Sequence, residues 1–174
     1  YPMRFRGFTL IELMVALVVL AVLLGLAIPG FGSMIDQQRM STGLNNLGLG
    51  LSVAREEAVR MNRTLTLSPV GGDWNEGWVI FIDKDHDGAP GAGDKILREL
   101  PPDTRLHMHA NGPVSKYVRF NAHGQTELLN GGFQAGTFRF CPTKPGAEGR
   151  KLIINQVGRW RVERSVIDPK YCRS

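Results

Sequence analysis

Two successive apolar patterns cover residues 8–61, first a continuous run and then a stripe with helical spacing. Residues 8–28 form an apolar run that only Thr9 and Glu12 interrupt. A helix formed by this run would be roughly 31 Å long, which matches the hydrocarbon thickness of a membrane. After Pro29 the apolar positions narrow to one stripe with steps of three or four residues: Leu44, Leu47, Leu51, Ala54, Ala58 and Met61. The pattern predicts one long helix over residues 8–61, kinked near Pro29, whose second half packs one face on a globular head.

Three glycines lie in the second half of this predicted helix. Gly43, Gly48 and Gly50 are poor helix formers, each by about 1 kcal/mol relative to alanine. We therefore expect the helix to be locally loosened around these positions.

After Asn62 the pattern changes to short β-branched and aromatic runs separated by turn residues. The candidate strands are residues 64–70, 77–83, 95–100, 104–108, 116–121, 126–129, 137–141, 151–156 and 159–165. Strands do not alternate with helices, which excludes a parallel α/β domain. The predicted fold class is α+β, with a long helix packed on an antiparallel β head of two sheets.

The residues before the apolar run predict its orientation. Arg4 and Arg6 precede it, so the N-terminus should stay in the cytoplasm and the rest of the chain should be exported. A signal peptide is the alternative, but the run is long for one, carries a charge, and is followed by Pro29 at the expected cleavage site. A membrane anchor fits better, although it does not explain Glu12, because an ionisable group in a span needs a partner.

Net charge is +5, and it is concentrated at the C-terminus. Residues 1–140 hold 13 basic and 13 acidic side chains, whereas residues 141–174 hold 8 basic and 3 acidic ones. Charge concentrated in one segment favours a polyanionic partner over a merely soluble surface, which is the competing interpretation.

Cys141 and Cys172 are the two cysteines of the chain. An even number in an exported protein favours a disulfide, which would stabilise the fold by roughly 3–4 kcal/mol. Two free thiols are the alternative. A zinc site is less favoured, because neither cysteine belongs to a C-x-x-C pair.

The hexapeptide Gly7-Phe8-Thr9-Leu10-Ile11-Glu12 resembles the processing and assembly signal of type IV pilins and type II secretion pseudopilins. The resemblance implies that a prepilin peptidase cuts between Gly7 and Phe8 and that the new amine on Phe8 is methylated. It also implies that Glu12 neutralises the N-terminal amine of a neighbouring subunit in a filament, where a buried carboxylate paired with a cation is tolerable. The stretch over residues 54–59, Ala-Arg-Glu-Glu-Ala-Val, resembles the FimT/GspH branch of minor pilins and pseudopilins.

This resemblance implies a division of the chain and a location. Residues 1–7 are a cleaved leader, residues 8–30 are the transmembrane or filament-core half of the helix, residues 31–62 are its amphipathic half, and residues 63–174 are the β head with its C-terminal disulfide region. The protein would cross the bacterial inner membrane once, with a cytoplasmic N-terminus and a periplasmic head, and would then enter a cell-surface pilus. Its partners would be the membrane, prepilin peptidase and other pilin subunits.

The segment Val157-Gly158-Arg159-Trp160-Arg161-Val162 lies in the basic C-terminal region. If it is extended after a turn at Gly158, Arg159 and Arg161 share one face while Trp160 faces the core. Two guanidinium groups on one face can clamp phosphates, because each binds phosphate oxygens through two N–H donors. Gly158-Arg159-Trp160-Arg161 resembles the DNA-contacting motif of FimT-type minor pilins of natural transformation, which implies DNA as a partner. The further candidate contacts are Arg150, Lys151, Arg164, Lys170 and Arg173, with Arg105 and Lys116 as secondary ones.

Asp83, Asp85, Asp87 and Asp94 match the spacing of an EF-hand calcium loop, with Gly88 at the sharp turn. Strands rather than helices are predicted on both sides, and Asp94 is shorter than the usual bidentate glutamate. Calcium binding and a plain hairpin loop are both open interpretations, and no other cofactor is indicated.

His107 and His109 would share one face of a strand, but no carboxylate or cysteine is near them in sequence, so surface histidines are favoured over a metal pair. No catalytic constellation stands out, so we do not expect an enzyme. Two functions remain: a DNA-binding minor pilin, and a structural minor pilin or GspH-like pseudopilin that primes or caps a filament without binding DNA.

Overall fold

The computed structural model of the chain describes residues 8–101, 107–144 and 146–172, without the side chains of residues 26–31. Helix α1 extends over Leu10–Met61 as a single element. The chain divides into two compact units, Tyr1–Gln37 and Gln38–Ser174, and α1 contributes to both. The kink expected near Pro29 stays a prediction.

The first unit exposes its apolar side chains. Every large apolar residue between Phe8 and Leu24 is 51% to 85% exposed. The apolar run predicted from the sequence continues to Ile28, beyond the side chains described in this half of the helix. No helix in the described part of the chain is both long and apolar enough to cross a membrane.

The second unit packs α1 on two four-stranded antiparallel sheets. Sheet A has the order β3-β2-β1-β5 and sheet B has the order β4-β6-β7-β8. The strands are β1 (Leu65–Pro69), β2 (Trp78–Ile82), β3 (Lys95–Leu100), β4 (His107–Ala110), β5 (Val118–Phe120), β6 (Gly136–Cys141), β7 (Glu148–Ile154) and β8 (Trp160–Val166). Single 3-10 turns cover Val70–Gly72, Trp74–Glu76, Gly112–Val114 and Pro169–Tyr171. The predicted α+β class with two antiparallel sheets is confirmed.

One predicted strand is wrong and another lies partly outside the described residues. Residues 126–129 form only isolated bridges, Phe120 with Thr126 and Glu127 with Phe133, because a turn at Gly131 reverses the chain immediately afterwards. The strand predicted over residues 104–108 begins, in the described part of the chain, at His107.

The apolar stripe of α1 is the helix side of the core. Leu44, Leu47, Leu51, Ala54 and Ala58 are at most 3% exposed, and Met61 is partly buried. They pack in one cluster with residues of both sheets, among them Leu65, Leu67, Phe120, Phe138, Phe140, Leu152 and Ile154. The predicted core face of the helix is confirmed.

Two of the helix glycines have a packing role. A Cβ on Gly48 would lie 2.8 Å from the ring of Trp160, and one on Gly50 would lie 2.5 Å from the ring of Trp78. The helix is continuous through both positions, so the expected loosening is wrong. Glycine is needed there because each indole occupies the space that a side chain would fill.

Candidate functional site

The turn between β7 and β8 positions the predicted arginine pair. Gly158 has φ +72°, a conformation that glycine adopts without strain. The N–H of Gly158 donates to the Asn155 carbonyl at 3.0 Å, and the N–H of Arg159 donates to Asn155 Oδ1 at 3.0 Å. Arg159 therefore sits at a fixed point, directly before β8 begins.

Arg55 on α1 and the carbonyl of Gly124 lie against this turn. The Nε of Arg55 donates to the Gly124 carbonyl at 2.9 Å. A Cβ on Gly158 would come within 2.2 Å of that same carbonyl oxygen and within 3.0 Å of Arg55 Nε. Arg55 belongs to the Ala-Arg-Glu-Glu-Ala-Val stretch, and its contact with the turn is one that spacing along the sequence does not indicate.

Strand register assigns each basic residue of the β7–β8 hairpin to a face. Trp160 and Val162 oppose the core residues Ile154 and Leu152, so they lie on the helix side of sheet B. Arg161 alternates with Trp160 and lies on the outer face. Arg159, two residues before Arg161 at the end of the hairpin, is exposed.

The outer face also carries Lys151, opposite Glu163. Glu163 Oε1 accepts from Arg161 at 2.9 Å, and both side chains are substantially exposed. An exposed pair of this kind contributes little to stability, so it can open when a stronger anion arrives. A carboxylate beside Arg161 nevertheless lowers the positive potential of this face.

The structure does not gather all the predicted DNA contacts into one patch. Arg150 and Arg164 oppose each other on the helix side of sheet B, the face away from Arg161.

Lys170 lies near the C-terminal disulfide and pairs with Asp168 at 3.0 Å. Hydrogen bonds from Lys170 lower the pKa of Asp168, and the same pairing raises the pKa of Lys170. Arg173, like the secondary candidate Arg105, lies outside the described residues.

Arg139 is a basic residue of this face that the sequence interpretation missed. It lies on β6, opposite His109 on one side and Lys151 on the other. Its guanidinium stacks on Tyr171, 4.3 Å from the ring centroid. The signal that could have identified it is alternation, because Phe138 and Phe140 on either side of it are fully buried.

The C-terminal segment is joined covalently to β6. Cys141 and Cys172 form a disulfide with Cα atoms 5.6 Å apart. Tyr171, next to the second cysteine, is thereby held over Arg139 and beside His109, 5.1 Å between ring centroids. The disulfide thus positions the aromatic ring that orients Arg139.

Trp160 packs towards the helix. Its Nε1–H donates to Ser52 Oγ at 3.0 Å, and its ring lies against Gly48. This is the inward orientation expected from strand alternation. The indole therefore belongs to the helix–sheet contact rather than to the outer face.

Backbone N–H groups of the aspartate-rich loop donate hydrogen bonds to two of its carboxylates. Buried Asp83 accepts from the N–H groups of Asp87 at 3.2 Å and Gly88 at 3.1 Å. Asp94 accepts from the N–H groups of Lys84 at 3.0 Å and Gly91 at 2.8 Å, and these bonds lower its pKa.

Oxygens of Asp83, Asp85 and Asp87 can come within 4.8 Å of one another, whereas Asp94 is outside this group. Calcium binding by this loop stays a prediction. His107 and His109 join no third metal-ligating side chain among the described residues.

A capping box begins α1. The N–H of Glu12 donates to Thr9 Oγ1 at 3.3 Å, and the N–H of Thr9 donates to Glu12 Oε2 at 3.4 Å. Reciprocal bonds of this kind satisfy two backbone donors that a helix start leaves open. The T-x-x-E spacing could have predicted this second role for Glu12, which the sequence interpretation missed.

A long helix whose C-terminal half packs on two antiparallel sheets is the architecture of a type IV pilin-like subunit. Two solved structures of the type IV minor pilin FimU from Pseudomonas aeruginosa strain PAO1 share it. One has a TM-score of 0.61 at 24% identity and covers 80% of this chain and 99% of that one. The other has a TM-score of 0.58 at 26% identity and covers 76% of this chain and 99% of that one.

Sequence comparison agrees with the fold. Residues 2–28 match the prokaryotic N-terminal methylation motif. The chain is also 29% identical over 167 residues to the pilin-like protein PilA1 of Thermus thermophilus, covering 91% of this chain and 98% of that protein. Residues 44–158 match the family of the type II transport protein GspH, and the chain belongs to this family.

Membership in this family defines the class of function. Pilins and pseudopilins are structural subunits, so the protein is a minor pilin or pseudopilin and not an enzyme. The methylation motif implies processing by prepilin peptidase, membrane anchoring and assembly with other pilin subunits.

Proposed function

We propose that this subunit binds DNA without sequence preference and serves DNA uptake in natural transformation, as FimT-type minor pilins do. The observation that carries the proposal is the exposed position of Arg159 and Arg161 at the start of β8, directly after a turn that packs against Arg55 and Gly124. The backbone of both residues is held by the turn and by strand pairing, so binding of phosphate has to order only their side chains.

The outer face of sheet B extends this interface. Arg139, Lys151 and Arg161 come from three adjacent strands, so they can follow a nucleic-acid backbone across the sheet. Phosphates carry no base information, so contacts of this kind favour binding without sequence preference. Arg150 and Arg164 lie on the other face of sheet B, and we leave them out of the proposed contact.

In this proposal the chain is cleaved between Gly7 and Phe8 and methylated on Phe8. It then crosses the inner membrane once, with the N-terminus in the cytoplasm and the second compact unit in the periplasm. After assembly the DNA-binding face is displayed on a cell-surface pilus. The uniformly exposed apolar side chains of residues 8–24 support burial of this half in a membrane or among other subunits.

A structural role without DNA binding is the second candidate. Two observations favour it: Glu163 already pairs with Arg161, and the basic residues are divided between two faces of sheet B. A subunit of this kind would prime or cap a filament, and its C-terminal charge would serve solubility only.

Gel shifts of the chain in detergent micelles against random duplex DNA test the proposal. With about 3–5 phosphate contacts, log K should fall against log salt with a slope of roughly −3 to −4.5. Arg159→Gln or Arg161→Gln should each flatten the slope by about 1, equally for all sequences. Arg164→Gln is the matched control, since that side chain is also exposed on β8 but lies on the opposite face. Unchanged affinity in the Arg159→Gln, Arg161→Gln double variant, with the fold intact, would support the structural role instead.

A further inference from the structure

Phe133 is an aromatic side chain that the fold leaves in solvent. It is 81% exposed, more than any other large apolar residue described in the second compact unit. Exposure of a complete phenyl ring costs hydration free energy, so a ring held in solvent indicates a contact made with another molecule.

The backbone next to Phe133 is held firmly. Gln134 is fully buried, and its side chain donates to the carbonyls of Pro113 at 2.8 Å and Tyr117 at 2.9 Å. Its Oε1 also accepts from the N–H of Arg119 at 3.0 Å. Phe133 therefore projects from a fixed point of the fold and is not at the tip of a loose loop.

The same segment is bonded to the turn that carries Arg159. The N–H of Thr126 donates to the Gln156 carbonyl at 3.0 Å, and Thr126 Oγ1 lies 3.0 Å from the Asn155 carbonyl and 2.6 Å from the Gln134 carbonyl. Thr126 thus joins the residue after Phe133 to the β7–β8 turn. The backbone segments that carry Phe133 and Arg159 are therefore joined through Thr126.

A groove of about 100 Å³ lies between the ring and the turn. Phe133 and Val157 line it together with Asn121, Gln125, Gln156 and Glu127. The carboxylate of Glu127 pairs with Arg119, with 3.6 Å between Oε1 and Nε. Amide side chains can donate to and accept from base edges. A groove with one aromatic wall and amide-bearing sides suits a planar heterocycle better than the apolar core of a protein contact.

We propose that Phe133 stacks on an unpaired base, so that single-stranded DNA is the form this surface binds. Single-strand binding commonly combines stacking on aromatic side chains with basic side chains that contact the phosphates, which here is the role proposed for Arg159. Stacking tolerates every base, because each has a π face. This inference rests on the proposed function and adds the class of nucleic acid to it. Bases inside a duplex are already stacked on each other, so the ring should contribute nothing to duplex binding.

The test compares two ligands with the same phosphates, a thymidine 12-mer and a 12-mer abasic deoxyribose-phosphate chain, on the chain in detergent micelles. The wild type should bind the thymidine chain more tightly. Phe133→Ala should weaken that binding roughly 10-fold, since one stacked base contributes about that factor, and leave the abasic affinity unchanged. Phe133→Trp should keep the preference. Leu129→Ala is the matched control, an exposed apolar residue of the same segment.

The outcomes separate the two proposals. If Arg159→Gln plus Arg161→Gln weakens binding of both ligands while Phe133→Ala changes neither, the stacking is overturned and the DNA-binding function stands. If the wild type binds neither ligand, the function fails and the stacking fails with it. If Phe133→Ala lowers only incorporation into filaments, the ring belongs to a contact between subunits, and the base-stacking assignment is wrong.

Discussion

Gly48 on α1 lies directly against the indole of Trp160 on β8, so close that a Cβ would stand 2.8 Å from two of the ring carbons. The indole nitrogen donates to Ser52 one helical turn further along. Glycine is required at this position for its lack of a side chain, because φ is helical there. The contact sets the distance between the helix and the strand that carries Arg161.

Gly48→Ala should therefore destabilise the second unit, although alanine is the better helix former. Overpacking of this kind costs about 1–3 kcal/mol, which outweighs the gain in helix propensity. Thermal unfolding should show a loss of several degrees in Tm. Gly32→Ala is the control, because nothing lies within 4 Å of a Cβ at that helical glycine, and its Tm should not fall. Equal Tm values for the two variants would show that the indole moves aside easily.

Glu163→Gln should strengthen DNA binding. The substitution keeps the size of the side chain and removes the charge that pairs with Arg161 at 2.9 Å, so Arg161 becomes available to phosphate. We expect a several-fold gain in affinity at low salt, measured by fluorescence anisotropy, and a smaller gain at high salt. Glu99→Gln on β3, an exposed carboxylate of sheet A, is the matched control for net charge. A gain of the same size in both variants would mean that only overall charge matters.

Two substitutions separate the roles of Glu12. Glu12→Gln keeps a side chain that can accept from the Thr9 N–H in the capping box, whereas Glu12→Val loses both the cap and the charge. If charge pairing with a neighbouring amine drives assembly, both variants should stay in the membrane and fail to enter filaments. Filament fractions probed with antibody measure this. Normal incorporation of Glu12→Gln alone would identify the cap as the function of this carboxylate.

Acid should open the aspartate-rich loop. Backbone N–H groups of Lys84 and Gly91 hold the pKa of Asp94 below its ordinary value of 3.8. A carboxyl group with a lowered pKa stabilises the folded loop above 3.8, and this contribution is lost as pH falls through the lower, folded-state value. Hydrogen exchange at the amides of Lys84 and Gly91 should therefore be protected at neutral pH and lose protection only below pH 3.8. In Asp94→Ala that protection should be absent at every pH, and protection that persists in this variant would contradict the assignment.

Periodicity predicted the parts of this fold that depend on neighbouring residues in the chain. The helix stripe from Leu44 to Ala58, the position of β3 and the division of β8 into an inner and an outer face all follow from spacing along the sequence. The strand predicted over residues 126–129 fails for a local reason, the turn at Gly131. The failed prediction for the helix has a long-range cause. Helix propensity predicted loosening at Gly48 and Gly50, but indoles from sheets A and B determine those positions.

The proposed binding face was only partly predictable, because it too depends on long-range contacts. Arg139 precedes the charge-rich final segment and reaches Lys151 only through strand pairing. Conversely, Arg150 and Lys151 are adjacent in sequence and lie on opposite faces of β7. The number of charged residues in a segment does not reveal how the strands pair. Strand register determines which charged side chains share a face and can contact the same ligand.

The disulfide between Cys141 and Cys172 has a mechanical consequence for the proposed binding of DNA. The two cysteines are 31 positions apart and enclose the whole β7–β8 hairpin. A ligand that pulls on the turn at Gly158 therefore exerts force on a covalently closed loop, which the disulfide closes at β6. Tension cannot peel β8 away by unravelling the chain from its C-terminus, because the tail beyond β8 is tied to the strand next to β7. Reduction of the disulfide would remove this restraint and allow β8 to unravel from its C-terminal end.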